Sequence, residues 1–212
     1  MNDLKYTVRR SQRKTIVLTV AGGKIEVRAP YGMPDEKVAF FVESKRNWIE
    51  KKLRAQDSQF LKNVRDGKTL LDGGRERSVF FNSGKNYENE NCFYLKNSFS
   101  VRRYFEKTRG PILVEALHDL SLKMKLFPED VTIRDFKARW GSCDAARRIQ
   151  LNWRLSMLPI NLRDYVLIHE LCHLAVLNHS ASFWKLVERF CPDFKECKKA
   201  LKNYSFLTLL YR

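Results

Sequence analysis

Apolar and polar side chains alternate along the first thirty residues of the chain. Ile16, Leu18 and Val20 fall on one face, and the alternation resumes after Gly22-Gly23. A period of two residues is typical of a strand that buries one face, and paired glycines favour a turn. The pattern therefore predicts a β-hairpin, preceded by a further strand at Tyr6–Val8.

The pattern changes twice in the following seventy residues. Beyond Pro34 and Asp35 the apolar positions take a helical spacing, which predicts a helix. Residues 57–100 contain short apolar pieces between glycines and asparagines, and these pieces predict two or three short strands. The residues that carry the two patterns are Val38, Phe41, Val42, Ile49 and Leu53 for the helix, and Ser78–Phe81 and Cys92–Leu95 for the strands.

The second half of the chain has a stronger helical character. Residues 101–126 predict a helix with a break at Gly110-Pro111, because proline favours the first turn of a new helix. Val131–Phe136 and Ile149–Leu155 predict two strands that form a hairpin around a long loop. Further helices are expected at Leu162–Leu177, capped by Asn161 with Asp164, and after Ser180 and Asp193.

These elements predict an α+β protein in two parts. Residues 1–100 form an N-terminal β-hairpin and helix lobe, and residues 101–212 form the domain that carries the chemistry. The chain of 212 residues is long enough to bury a substantial core.

The chain is strongly basic, with 40 Lys plus Arg against 24 Asp plus Glu and a net charge of +16. Such an excess favours contact with nucleic acid or nucleotides, although net charge alone specifies no partner. The five cysteines form no CxxC pair, and no apolar leader or run of about 18 apolar residues occurs. We therefore expect a cytoplasmic protein with reduced thiols and no membrane partner.

The most informative motif is His169-Glu170-Leu171-Cys172-His173, an H-E-x-x-H sequence in an apolar helix. Residues four apart lie ~40° apart around a helix, so both imidazoles can reach one ion. Glu170 lies beside the first histidine, where it can reach water at the metal without binding the metal. Burying these polar groups without partners would cost a few kcal/mol, which a metal offsets.

A catalytic zinc takes three protein ligands and leaves one position open. His179 follows His169 by ten residues, which is the ligand spacing of the longer H-E-x-x-H-x-x-G-x-x-H motif, with Val176 in place of glycine. Asn178 tolerates the left-handed conformation that would turn the chain back. The alternative third ligand is a later carboxylate, Glu188 or Glu196; His118 is expected to be structural.

This site predicts a hydrolase in which metal-activated water attacks a peptide carbonyl, with Glu170 as general base and Zn²⁺ as cofactor. Arg139, Arg154 and Tyr204 are the candidates for stabilising the oxyanion. If the strand Ile149–Leu155 lies at the edge of the cleft, an extended peptide could add to it as a further strand.

Residues 131–191 resemble the YgjP-like family of zinc metallopeptidases, which is related to the WLM and SprT-like groups. The resemblance implies a zincin-like fold with the H-E-x-x-H helix at its centre, and it supports His179 as the third ligand. It is carried by Arg139-Trp140-Gly141-Ser142-Cys143, Ile149–Leu155, Pro159, Asp164-Tyr165-Val166, the motif helix, Asn178-His179-Ser180 and Phe183-Trp184, with Arg28-Ala29-Pro30 and Trp48-Ile49 earlier in the chain.

Two other functions stay open at this point. The resemblance also suggests a nucleotide pyrophosphatase, because metal-activated water can attack a phosphoanhydride and the basic surface would help to bind a triphosphate. The third interpretation is a basic nucleic-acid-binding module with a structural zinc. Structural sites usually have four ligands and are rich in cysteine, which argues against this interpretation.

Overall fold

The computed structural model describes residues 4–21, 24–56, 62–64 and 66–211. It contains both helices and β-sheets, as the sequence predicts. Contacts divide the chain into two compact units, Met1–Arg65 and Asp66–Arg212. Within the described ranges, no helix is both long enough and apolar enough to cross a membrane.

The first unit contains a three-stranded sheet of β1 (Tyr6–Ser11), β2 (Val17–Ala21) and β3 (Lys24–Pro30). The order is β1-β3-β2, with β3 parallel to β1 and antiparallel to β2. The predicted pair of strands and the earlier strand are confirmed. The predicted turn at Gly22-Gly23 lies outside the described residues.

Two helices follow in this unit, α1 (Asp35–Ser44) and α2 (Arg46–Gln56). The predicted helical stretch is interrupted at Lys45, whose backbone N–H donates to the carbonyl of Val42 at 3.0 Å. The apolar faces of α1 and α2 pack on the sheet, which explains why the apolar residues of this stretch have a helical spacing. The buried core of the unit is Ile25, Val27, Ala29, Val38, Val42 and Ile49.

The second unit begins with a four-stranded sheet in the order β4-β5-β7-β6. The strands are β4 (Thr69–Asp72), β5 (Arg75–Phe80), β6 (Tyr87–Glu88) and β7 (Cys92–Tyr94). The sequence predicted two or three strands here. The strand Tyr87–Glu88 could not be predicted, because two residues are too few to show a period.

This sheet belongs with the chemistry-bearing half, so the unit boundary lies near residue 65 and not at the expected residue 100. The N–H groups of Gly73 and Gly74 donate to the carbonyls of Ser156 and Met157 at 2.8 and 3.0 Å. Such bonds between distant segments leave no local pattern in the sequence.

A long helix, α3 (Ser100–Met124), continues through Gly110-Pro111, so the predicted break is wrong. An internal proline costs a helix about 3 kcal/mol. Burial of one face compensates, since Phe105 before the proline and Leu113 after it are each 1% exposed, and a β-carbon on Gly110 would lie 3.6 Å from Ile133. The buried residues on this face include Val101, Phe105, Leu113 and Leu117.

A second sheet follows, with β8 (Asp130–Arg134), β9 (Gly141–Cys143) and β10 (Arg148–Asn152) in the order β8-β10-β9. β8 and β10 are parallel, so the predicted hairpin is wrong. The intervening segment contains β9, which pairs antiparallel with β10 and lets the chain return to the same end of the sheet.

The final helices are α4 (Ile160–His173), α5 (Ala181–Phe190) and α6 (Phe194–Leu201), with 3₁₀ helices before α4 (Trp153–Met157) and after α6 (Lys202–Leu209). α4 begins after Pro159 and not after a side-chain cap at Asn161. It also ends at His173 instead of Leu177. Ser180 and Asp193 precede α5 and α6, as predicted.

A buried ionic network joins the four-stranded sheet to α3. Arg77 lies 2.5 Å from Asp72 and 2.7 Å from Glu88, and Arg109 lies 2.8 and 2.6 Å from the same two carboxylates. Burial acts to raise the pKa of Asp72 and of Glu88, but the hydrogen bonds and charges of the two arginines together lower both below their usual values.

We expect this network to make the folded state acid-sensitive. Carboxyls with a lowered pKa in the folded state stabilise it above about pH 4, and this stabilisation is lost as the pH falls through their folded pKa values. Asp72→Asn should lower the free energy of unfolding at pH 7 by about 3 kcal/mol and flatten its decline below pH 4. Urea unfolding at pH 7 and pH 3 measures both effects. Glu90→Gln, at an exposed position, is the control, and equal acid sensitivity of both variants would contradict the assignment.

Candidate metal centre

Helix α4 places its motif residues in the interior of the second unit. Leu167 and Leu171 are fully buried, and Glu170 and His173 are 5% and 8% exposed. The helix packs against α3, α5, α6 and strand β9. A helix that is apolar on nearly every side is expected to be buried, and Glu170 and His173 are buried with it.

Three imidazole rings meet at the C-terminal end of α4. The ring centres of His169, His173 and His179 are 4.8 to 5.0 Å apart in every pair. One nitrogen from each ring lies within 4.8 Å of the others, and Nε2 of His169 is 3.0 Å from Nε2 of His179. The structure therefore brings together the three histidines that the sequence singled out.

The surroundings favour neutral imidazoles. Burial, with smaller contributions from His173 and His179, lowers the pKa of His169 to about 3. Burial also lowers the pKa of His173, against the hydrogen bond from its Nδ1 to the carbonyl of Val176 at 3.1 Å. With the proton on Nδ1 in that bond, the lone pair of Nε2 is free to coordinate a metal.

The donor set fits a divalent cation. Two Zn–N bonds of about 2.05 Å at a tetrahedral angle separate their nitrogens by about 3.3 Å, close to the 3.0 Å found between His169 and His179. Nδ1 of His169 is buried and has no hydrogen-bond partner within the described residues. Coordination at Nε2 would give this buried ring a polar partner, but not at Nδ1. The three histidines could thus hold a metal ion.

His179 is placed by the segment that follows α4. The chain leaves the helix through a turn in which the N–H groups of Ala175 and Val176 both donate to the carbonyl of Cys172. Asn178 does not adopt the left-handed conformation that the sequence suggested. Its side-chain oxygen instead accepts a hydrogen bond from the N–H of Ser180 at 3.2 Å, which holds the residues on both sides of His179.

Two aromatic residues of α5 form a wall behind the three rings. Phe183 is fully buried, and its ring centre lies 4.5 to 4.9 Å from those of all three histidines. Trp184 stacks on His179 at 5.6 Å and on Phe194 at 5.4 Å. Phe183-Trp184 contributed to the family resemblance, but no role in the site was predicted for the pair, although it follows the third histidine by one helical turn.

Glu170 lies against strand β9. A β-carbon added to Gly141 would be 2.7 Å from Oε1 and 2.8 Å from Cγ of Glu170, so the missing side chain makes room for this carboxylate. Burial raises the pKa of Glu170 to about 8, and the guanidinium of Arg139 opposes that rise. The contact joins residues far apart in the chain, and so the sequence could not reveal it.

The other candidate residues lie elsewhere. Glu188 and Glu196 are exposed, and neither belongs to the group that could hold a metal. His118 is exposed on α3, where it lines a surface pocket that Gly110 and Pro111 also line.

Of the oxyanion candidates, Arg154 is fully buried; it pairs with Asp135 and donates to the carbonyl of Leu210. It therefore has a structural role. Tyr204 is half-buried, and burial raises its pKa. Arg139 is exposed, and its charge acts on Glu170. The strand hypothesis also needs correction, because β10 lies between β8 and β9 and has no free edge; β9 is an edge strand.

Comparisons with known proteins returned a solved structure and a family model. The crystal structure of the metallopeptidase zymogen of Pyrococcus abyssi abylysin is similar at 27% identity over 42% of this chain and 90% of that chain, with a TM-score of 0.39. No curated protein matches. A family model described as YgjP-like, metallopeptidase domain, matches residues 14–204. Since this match spans most of the sequence, the chain belongs to the YgjP-like family of metallopeptidase domains.

Proposed function

We propose that this chain is a zinc-dependent peptidase in which His169, His173 and His179 hold the ion and Glu170 is the general base. The observation that carries the proposal is the meeting of three imidazoles, with donor nitrogens within 4.8 Å, beside a buried carboxylate. Membership of a family of metallopeptidase domains supports the reaction class. A zincin-like arrangement around α4 is part of this proposal.

Three neutral imidazoles suit zinc and leave one coordination position for substrate or water. A bound zinc ion supplies Lewis-acid chemistry, because it lowers the pKa of water to about 7 and polarises a carbonyl. Glu170 accepts the proton of the attacking water on its carboxylate and passes it to the nitrogen of the leaving amine. Arg139, the exposed cation whose charge acts on Glu170, is our candidate for stabilising the oxyanion.

The free edge of β9 is the proposed place for the peptide. β9 pairs with β10 on one side only, and its first residue, Gly141, touches Glu170. An extended peptide that adds to this edge would form backbone hydrogen bonds with it and pass the general base. Strand addition depends on the backbone N–H and C=O groups of the peptide, and these are free in unfolded segments. Unfolded segments of proteins are therefore the expected substrates.

The zinc-loaded protein should cleave unfolded proteins and peptide pools. Removal of the metal with a chelator should stop cleavage, and added zinc should restore it. Mass spectrometry of the products measures this activity, and parallel incubation with nucleoside triphosphates is the comparison. If the protein released phosphate or pyrophosphate in a metal-dependent reaction and cleaved no peptide, it would be a phosphohydrolase and the peptidase proposal would be wrong.

Gly141→Ala should displace Glu170 and lower kcat/KM by about 10- to 100-fold, because misplacement of a catalytic group by about 1 Å has an effect of this size. Zinc content should stay unchanged, as the substitution does not touch the three histidines. Peptide cleavage and metal analysis measure the two quantities. Gly84→Ala is the matched control, since a β-carbon there meets no atom within 4 Å.

The shorter carboxylate of Glu170→Asp supplies a second test of this contact. In the Glu170→Asp background, Gly141→Ala should cost much less than it does in the wild type, because the clash is relieved. Strictly additive losses in the double variant would contradict the proposed positioning role of Gly141.

A further inference from the structure

A second group of metal-binding side chains lies at the turn between α5 and α6. It consists of Cys191, Asp193 and Cys197, whose sulfur and carboxylate atoms lie within 4.8 Å of one another. Cys191 directly follows α5, Asp193 directly precedes α6, and the N–H of Cys197 donates to the carbonyl of Asp193 at 3.0 Å. The fold of the turn thus aims two thiols at one carboxylate.

The distances in this group suit a tetrahedral cation. Sγ of Cys191 is 3.4 Å from Oδ1 of Asp193, and Sγ of Cys197 is 3.6 Å from Oδ2. A zinc ion with Zn–S bonds of about 2.3 Å and a Zn–O bond of about 2.0 Å separates each sulfur from the bound oxygen by about 3.5 Å, and each thiol lies near this distance from one of the two carboxylate oxygens. Thiol hydrogen bonds span these gaps without an ion, and a cation replaces both thiol protons, which leave to solvent.

Solvent reaches one side of this group. Cys191 and Cys197 are 7% and 2% exposed, whereas Asp193 is exposed, so water can complete the coordination. Two thiolates and one carboxylate exceed the charge of a divalent ion by one. The ammonium groups of Lys195 and Lys198 lie over the rings of Phe194 and Trp184. Burial, Asp193 and the charge of Glu196 raise the pKa of Cys197, so a cation has to displace its thiol proton.

We propose that Cys191, Asp193 and Cys197 form a second divalent metal site, separate from the three histidines and suited to zinc or another thiophilic ion. An ion there links the end of α5 to the first turns of α6. Phe194, adjacent to Asp193, stacks on Trp184, which stacks on His179. The second site therefore steadies the wall behind the histidine cluster.

The test uses the reduced full-length His169→Ala/His179→Ala variant, in which the histidine cluster is disabled. This variant should bind one equivalent of Co²⁺ and show the near-ultraviolet absorption of sulfur-to-cobalt charge transfer. Adding Cys197→Ala should remove the absorption and the bound metal, whereas adding Cys92→Ala, which lies in β7, should change neither. The wild type should bind two equivalents. Failure of the peptidase proposal would leave the results for the His169→Ala/His179→Ala variants unaffected.

A measurement on the wild type avoids dependence on how the variants fold. Excess zinc should protect Cys191 and Cys197 from alkylation by iodoacetamide, as read by peptide mapping, and should leave Cys143 unprotected. Absence of the sulfur-to-cobalt band together with absence of zinc protection would overturn the proposal. A Cys191–Cys197 disulfide that forms in air, in a protein whose reduced form takes up no second ion, would also overturn it.

Discussion

Glu170→Gln is expected to lower kcat for peptide cleavage by about 10²- to 10⁴-fold, the usual contribution of a general acid–base group. Glutamine keeps the size of the side chain in the space beside Gly141, so the fold and the histidine cluster should be preserved. The amide can neither accept the proton of the attacking water nor return it to the leaving amine. Because the loss concerns the transition state, kcat should fall much more than KM rises.

The control for this variant is Glu188→Gln, which makes the same chemical change at an exposed position of α5. Its activity should stay within about twofold of the wild type. Zinc content of both variants should match that of the wild type. If Glu170→Gln retained full activity with zinc bound, another group would have to be the base.

His179→Ala should weaken zinc binding at the histidine cluster by more than the 10- to 100-fold typical of outer-sphere partners, since it removes a direct donor. Only His169 and His173 would then hold the ion, and activity should fall in parallel with metal loss. Competition with a chelator measures the affinity. The experiment belongs in the Cys197→Ala background, so that the second proposed site does not contribute.

Three further variants in that background sharpen the result. His118→Ala removes an exposed imidazole on α3, and Glu188→Gln and Glu196→Gln remove the carboxylates that were alternative third ligands. All three should bind zinc as tightly as the parent. If a glutamate variant lost zinc while His179→Ala kept it, that glutamate and not His179 would be the third ligand.

Several elements of the fold and the histidine cluster could be predicted from the sequence. The two-residue period around Leu18 predicts β2, and the apolar run around Leu167 predicts the buried helix α4. Helix geometry predicts that His169 and His173 lie on one side of α4, and the ten-residue ligand spacing of the longer motif predicts that His179 joins them. Their role as ligands, and that of Glu170 as base, stay predictions that await the measurements described above.

The features that sequence patterns missed depend on contacts between distant segments. β9 has three residues and begins with glycine, so it is too short to show a period, yet its backbone makes room for Glu170. α3 passes through Pro111 because its buried face outweighs a local penalty. The parallel pairing of β8 with β10 likewise follows from the placement of β9 and not from either strand.

The central claim is that three imidazoles hold one cation beside Glu170. A crystal structure of the zinc-loaded protein, with data collected on both sides of the zinc absorption edge, tests it most directly. We predict an anomalous peak about 2.05 Å from one nitrogen of each of His169, His173 and His179, with the Glu170 carboxylate outside bonding distance of the metal. Anomalous density absent from this cluster, or a metal there bound by Glu170 itself, would contradict the account.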